Sequence, residues 1–151
     1  MRDEITIRFV EQTDLSALVA LCADHAAYEK APYDPAGKAA LLAEGLFCDP
    51  PKLFCLVAEQ KGKLVGFLSY MQQYATWDAG TYVYMDCLYI DQRARNLGLG
   101  KQLVSQLVTE ARKMGCTLIQ WQTPAFNTGA IRFYERLGAT SKSKERFFLG
   151  T

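Results

Sequence analysis

The sequence predicts a mixed α/β fold: a mostly antiparallel central sheet with helices on both faces. Two observations carry this. The first part of the chain sets short strand-like runs beside proline-broken helical stretches, and the second part reads strand–helix–strand–helix. Half of the 151 residues are hydrophobic, enough for a proper core and too many for a disordered chain. No repeat, linker or low-complexity tract interrupts the pattern, so residues 1–151 are expected to form one domain.

Residues 5–10 alternate as a first strand. Thr13 or Asp14 is placed to cap a helix carrying Leu15, Leu18, Val19 and Cys22 on one face. Pro32 and Pro35 break the chain, a second helix is expected over residues 36–47, and Asp49-Pro50-Pro51 ends it. Residues 54–59 and 64–73 read as strands joined by the tight turn Gln60-Lys61-Gly62-Lys63, a hairpin signal. The apolar run 82–90 is a further strand. After it, Leu99, Leu103, Val104, Leu107, Val108 and Ala111 recur at helical spacing. Residues 117–123 form the next strand, and Asn127 caps a helix through about Leu137 that Gly138 closes. Residues 145–149 look like a final strand.

The net charge of +1 gives no global field to draw nucleic acid or a membrane surface. The five cysteines are scattered, without a Cys-x-x-Cys pair, and His25 stands alone, so no metal site is expected. The thiols read as reduced and mostly structural, which points to the cytoplasm. The N-terminus lacks a signal-peptide core, and no segment reaches the roughly 20 apolar residues of a membrane span.

The stretch 84–106, YMDCLYIDQRARNLGLGKQLVSQ, organises the functional reading. It runs from a strand through a glycine-rich basic turn into a helix. Gly98 and Gly100 permit positive φ and close approach of a ligand, and Asn96 tolerates the same backbone. The free N–H groups of the following helix and its dipole face the same spot, with Arg93, Arg95 and Lys101 nearby. That is a phosphate site in outline. The plain alternative is a turn that merely leads into a helix. The pattern is neither a Walker loop, since Gln102 follows Lys101, nor a dinucleotide fingerprint, which needs a third glycine.

Two stretches together resemble the GNAT superfamily of N-acetyltransferases. Arg95-Asn96-Leu97-Gly98-Leu99-Gly100 is similar to its Arg/Gln-x-x-Gly-x-Gly/Ala signature, and the segment from Asn127 through Ala130, Phe133 and Tyr134 to Gly138-Ala139 resembles its second motif. Within the superfamily the chain is most like the spermidine/spermine (diamine) N-acetyltransferase branch, through Tyr28-Glu29, Leu56-Val57-Ala58-Glu59, Gly66-Phe67, Trp77 and Asp86. It departs from that branch at Asp86, where glutamate is usual, and at Cys87, where another acid often stands. It departs from most GNAT loops at Asn96, where glycine is common.

The resemblance implies a GNAT fold and acetyl-CoA as cosubstrate, without a metal. It implies that the pyrophosphate sits on the turn from Arg95 and Asn96 through Leu97, Gly98, Leu99 and Gly100 to Lys101. The pantetheine arm would lie along Leu88, Tyr89 and Ile90, where the strand splays from its neighbour, with Asn127 and Ala130 also at the cofactor. Tyr134 takes the place of the general acid that protonates the departing thiolate, although in isolation it reads equally as core. Asp86 is the candidate base for a small-molecule amine, or only its anchor. An ordinary aspartate is a weak base. Tyr28 and Glu29 would line the acceptor groove, Glu29 reading otherwise as a solvated helix-end acid. Trp77, with Tyr74, would hold an aliphatic amine or belong to a dimer interface. A ping-pong route through Cys87 lacks a neighbouring histidine in the sequence. The resemblance also implies a homodimer. The expected function is therefore acetyl transfer to a polyamine, diamine, lysine analogue or amino acid. The alternatives are a protein or peptide N-acetyltransferase and a non-catalytic acyl-CoA-binding module.

Overall fold

Strands rich in branched and aromatic residues pair into one sheet: β1 (Ile5–Phe9), β2 (Phe54–Gln60), β3 (Lys63–Ala75), β4 (Gly80–Ile90) and β5 (Ile119–Gln120). Their order in the sheet follows the chain, and every pair is antiparallel except β4–β5. The computed structural model describes residues 4–151. Four helices cover the sheet: α1 (Leu15–Tyr28), α2 (Lys38–Leu46), α3 (Leu99–Lys113) and α4 (Thr128–Arg136).

Side-chain alternation sorts the strands onto two cores. Leu56, Ala58, Leu68, Tyr70, Val83 and Met85 bury against Leu103, Leu107 and Ala111 of α3. Cys55, Val57 and Phe67 face the other way, onto Leu15, Leu18 and Leu21 of α1 and Leu46 of α2. The 60–63 turn forms as expected, with Lys61 and Gly62 both at positive φ, the geometry of a two-residue hairpin loop.

Asp14 does not cap α1 with its side chain. Its carboxylate is taken up elsewhere. It accepts from both terminal nitrogens of Arg8, at 2.7 and 3.0 Å, and from the Glu11 backbone N–H at 2.7 Å. The same guanidinium donates to Glu59 Oε2 at 2.6 Å, so one cation ties β1, β2 and the start of α1. Its hydrogen bond also holds the Asp14 carboxyl below the usual carboxylate range. Helix α2 starts at Lys38 rather than at residue 36 because Gly37, at φ 73°, turns the chain immediately before it.

Two expectations at the C-terminal end need correction. The strand expected over 117–123 is cut to Ile119–Gln120, paired with Val83 and Tyr84. Residues 145–149 form no strand and stand exposed. A strand needs a partner for its backbone groups, and within the described chain none is offered to this segment.

The core behind the site rests on Leu103, which is fully buried between α3 and the sheet. Leu103→Ala is expected to lower unfolding free energy by about 2–5 kcal/mol in urea titration, through lost burial and a cavity.

Candidate active site

A β-bulge in β4 places the chemistry. Ser69 pairs with Cys87 and Tyr70 with Met85, which leaves Asp86 as an extra residue without a partner on β3. The bulge reverses which face each side chain meets. Before it, Val83 and Met85 pack toward α3; after it, Leu88 and Ile90 do, while Cys87 and Tyr89 turn toward α1. Asp86 itself is left exposed in a cleft.

The same stretch loses its other neighbour. The β4–β5 ladder stops at Tyr84, and from Met85 to Ile90 no strand borders that edge. The expected splay of this strand is therefore present, and residues 86–90 line the resulting cleft of about 580 Å³. Gln122, just past β5, donates to the Tyr84 hydroxyl at 2.8 Å and forms part of the opposite wall.

The turn after β4 reaches the cleft with Ala94, Arg95, Asn96, Gly98, Leu99, Gly100 and Lys101. Asn96 and Gly98 take φ of 65° and 78°, so the two tolerant residues stand where the left-handed backbone is needed. Gly100 has a different reason. A Cβ there would lie 2.9 Å from Phe133 Cζ, so the missing side chain lets α4 dock on α3. Arg95 is not a free cation. Its guanidinium lies over the rings of Tyr28 and Tyr89, 4.7 and 5.6 Å from their centroids, and its Nε donates to the Ile90 carbonyl. The cleft's other cations are Lys101 and Arg136.

From α4, Asn127, Gly129, Ala130, Phe133 and Tyr134 complete the wall. Asn127 caps the helix as expected, its Oδ1 accepting the Ala130 N–H at 3.3 Å. The same oxygen accepts the Tyr28 hydroxyl at 3.2 Å, which fastens α4 to the end of α1. Tyr134 leans on Trp121 and Phe133, and burial first, then the charge of Glu29, pushes its phenol up to about 12.

Of the residues expected at the site, Leu97 and Trp77 fall outside the cleft lining. Leu97 points to solvent from the turn, and Trp77 is fully exposed in the connection between β3 and β4. Arg93 also stays outside, beside Asp91. Helical spacing hid a member of the site: His25 lies one turn before Glu29 on α1 and lines the cleft with Tyr28 and Glu29. Cys87 lines the same cleft. The thiol is pushed up to about 12, by burial first and then by Asp86, so it stays protonated.

An open strand edge, a left-handed turn and a helix N-terminus in one cleft suit a donor with a peptide-like arm and a phosphate group. The pattern of the acetyltransferase (GNAT) family matches residues 18–139. The chain belongs to that family. It is an acetyl-CoA-dependent N-acetyltransferase. It is 27% identical over 140 residues to a D-amino-acid N-acetyltransferase of Saccharomyces cerevisiae, covering 91% of this chain and 86% of that one. It is 31% identical over 150 residues to the human spermidine/spermine N(1)-acetyltransferase-like protein 1, covering 95% of this chain and 21% of the larger protein. An aminoglycoside N-acetyltransferase solved in complex with CoA shares the fold with a TM-score of 0.83 at 20% identity, over 99% of this chain and 97% of that one. Among the described residues no three metal-ligating side chains come together, and no helix is long and apolar enough to cross a membrane.

The two glycines of the turn are expected to respond differently to asparagine. Gly98→Asn keeps the left-handed backbone and should cost no more than about 1 kcal/mol in stability, while its side chain in the turn should weaken acetyl-CoA binding. Gly100→Asn forces Phe133 aside and should cost about 1–3 kcal/mol in stability while weakening acetyl-CoA binding in calorimetry.

Proposed function

We propose that this acetyltransferase acts on a primary amine of a small molecule, a polyamine, diamine, lysine analogue or amino acid, by direct attack on the thioester. The observation that carries the reading is the pair of carboxylates, Glu29 and Asp86, lining the cleft from different elements beside the open edge of β4. An acceptor amine arrives as an ammonium, and two carboxylates suit one or two such charges. One relative named above is called a D-amino-acid N-acetyltransferase, and the other is called spermidine/spermine N(1)-acetyltransferase-like.

Acetyl-CoA supplies the activated acetyl group. The protein's residues hold and orient it: amides at the start of α3, with Lys101 and Arg136, for the phosphates, and the free backbone edge of Leu88, Tyr89 and Ile90 for the arm. Backbone N–H groups on that edge also stabilise negative charge developing on the carbonyl oxygen, about 3 kcal/mol per well-placed donor. Asp86 anchors the ammonium, and Tyr134 protonates the leaving thiolate. A phenol near 12 facing an ordinary thiolate of pKa about 8.5 would give up its proton uphill by about 5 kcal/mol. Loss of water around the departing sulfur would raise its proton affinity and narrow that gap.

The exposed run Phe147, Phe148 and Leu149 supports a homodimer, since contiguous apolar surface of this kind marks contact sites. The five free cysteines support a reducing compartment such as the cytoplasm.

A panel of diamines, polyamines and amino acids, mixed with acetyl-CoA and followed by free-thiol release, is expected to yield at least one turned-over amine. Acetyl-CoA binding without thiol release from any of them, peptides included, would favour a non-catalytic module, whereas release with peptides only would favour a peptide acetyltransferase. Tyr134→Phe should lower kcat about 100-fold or more with little change in KM for the amine. Equal kcat would remove the acid role.

A further inference from the structure

His25 is the chain's only histidine, and nothing above gives it a task. It is not a surface residue. Its side chain is 15% exposed, stacked on Tyr89 with ring centroids 5.3 Å apart and edge-on to Phe67 at 6.1 Å. It borders the cleft, and its Nε2 lies 3.4 Å from Glu29 Oε1. The groups around it come from several elements: Glu29 on its own helix, Asp86 on β4, Tyr89 beneath the ring, and Arg95 over Tyr89 from the turn. A ring this constrained, with a carboxylate at one nitrogen and a second carboxylate within electrostatic reach, has the parts of an oriented base.

We propose that His25 takes the proton of the acceptor ammonium, with Glu29 fixing the ring and Asp86 holding the ammonium. This rests on the acetyl-transfer reading above. In the tautomer that carries its proton on Nε2, the nitrogen nearer Glu29, the neutral ring keeps its lone pair on Nδ1, and that nitrogen accepts the proton directly or through one water. The N–H bond of the ammonium breaks and the imidazole becomes imidazolium. The freed lone pair forms the C–N bond to the acetyl carbon as the C–S bond breaks, and the sulfur takes the Tyr134 proton. The second N–H proton, lost as the amide forms, restores Tyr134, and the imidazolium gives its proton to water. The sum is one ammonium and one thioester giving one amide, one thiol and one proton.

The electrostatics suit the role. Burial lowers the imidazole's affinity for protons below its ordinary value, while Glu29 and Asp86 oppose that. At neutral pH the ring is therefore uncharged and ready to accept, and it does not repel the incoming cation. Acidification below the ring's pKa charges it and closes the route.

A single histidine makes the test direct. The imidazole of the untagged, acetyl-CoA-bound protein is titrated by ¹H–¹⁵N NMR, and kcat/KM for the best amine of the panel is measured against pH. The expected result is an acid limb whose apparent pKa equals that of the imidazole. Glu29→Gln, which removes the opposing charge, should lower both together. His25→Gln should reduce kcat about 100-fold or more and abolish the limb, while acetyl-CoA binding stays unchanged. An acid limb that does not follow the imidazole, or a His25→Gln enzyme with wild-type kcat and the same profile, overturns the proposal and leaves His25 as packing under α1. If His25→Gln fails to fold, judged by lost acetyl-CoA binding, the match or mismatch in wild type and Glu29→Gln decides. A wild-type protein that releases thiol with no amine at all would instead bring down the acetyl-transfer reading, and the role of His25 with it.

Discussion

The bulge at Asp86 is the constraint on which the site depends. One unpaired residue in β4 turns the strand over, so that the side chains feeding the two cores exchange parity between Met85 and Leu88. It comes just past the last β4–β5 pair, where β4 has already lost that neighbour. Backbone groups normally consumed by a ladder are then free for a ligand, and the bulged carboxylate is exposed beside them. A regular strand with the same residues would direct Asp86 into one core or pair it against β3.

Around that opening the remaining parts hold one another by short-range contacts. Tyr28 is a hub: its hydroxyl meets the Asn127 cap of α4, and its ring carries the Arg95 guanidinium from the turn. Arg95 in turn donates to the last carbonyl of β4. Three chain segments far apart in sequence are thereby locked at one edge of the cleft by polar groups that also satisfy each other. This packing gives Arg95 a structural duty, and Lys101 and Arg136 are the other cations that line the cleft.

The cleft also changes the acid–base properties of what lines it. Burial raises the Tyr134 phenol and the Cys87 thiol to about the same level and lowers the proton affinity of His25. Burial of these groups therefore keeps the phenol and the thiol protonated and the imidazole neutral at neutral pH. For reactants that enter as a thioester and an ammonium, these are the protonation states from which transfer can start.

Residue pattern by itself determined the mixed sheet, the four helices, the hairpin turn, the Asn127 cap, and the meeting of a strand, a glycine turn and a helix N-terminus. These depend on local periodicity, on which residues tolerate positive φ, and on short-range capping, all written within a few neighbouring positions. The tertiary structure decided the rest. Gly100 is glycine because a ring from α4 occupies the place of its Cβ, which no local rule announces. Asp14, a good cap by type, is claimed by Arg8 from another strand. Residues 145–149 have strand-like composition and no partner edge, so composition alone misled there. Trp77, read from its type as an amine contact or a dimer-interface residue, stands fully exposed outside the cleft lining. His25, a lone histidine on an amphipathic helix, becomes part of the site only because the β4 bulge brings Asp86 and Tyr89 to the end of α1. Contacts between distant segments set these outcomes, and a linear reading has no distance in it.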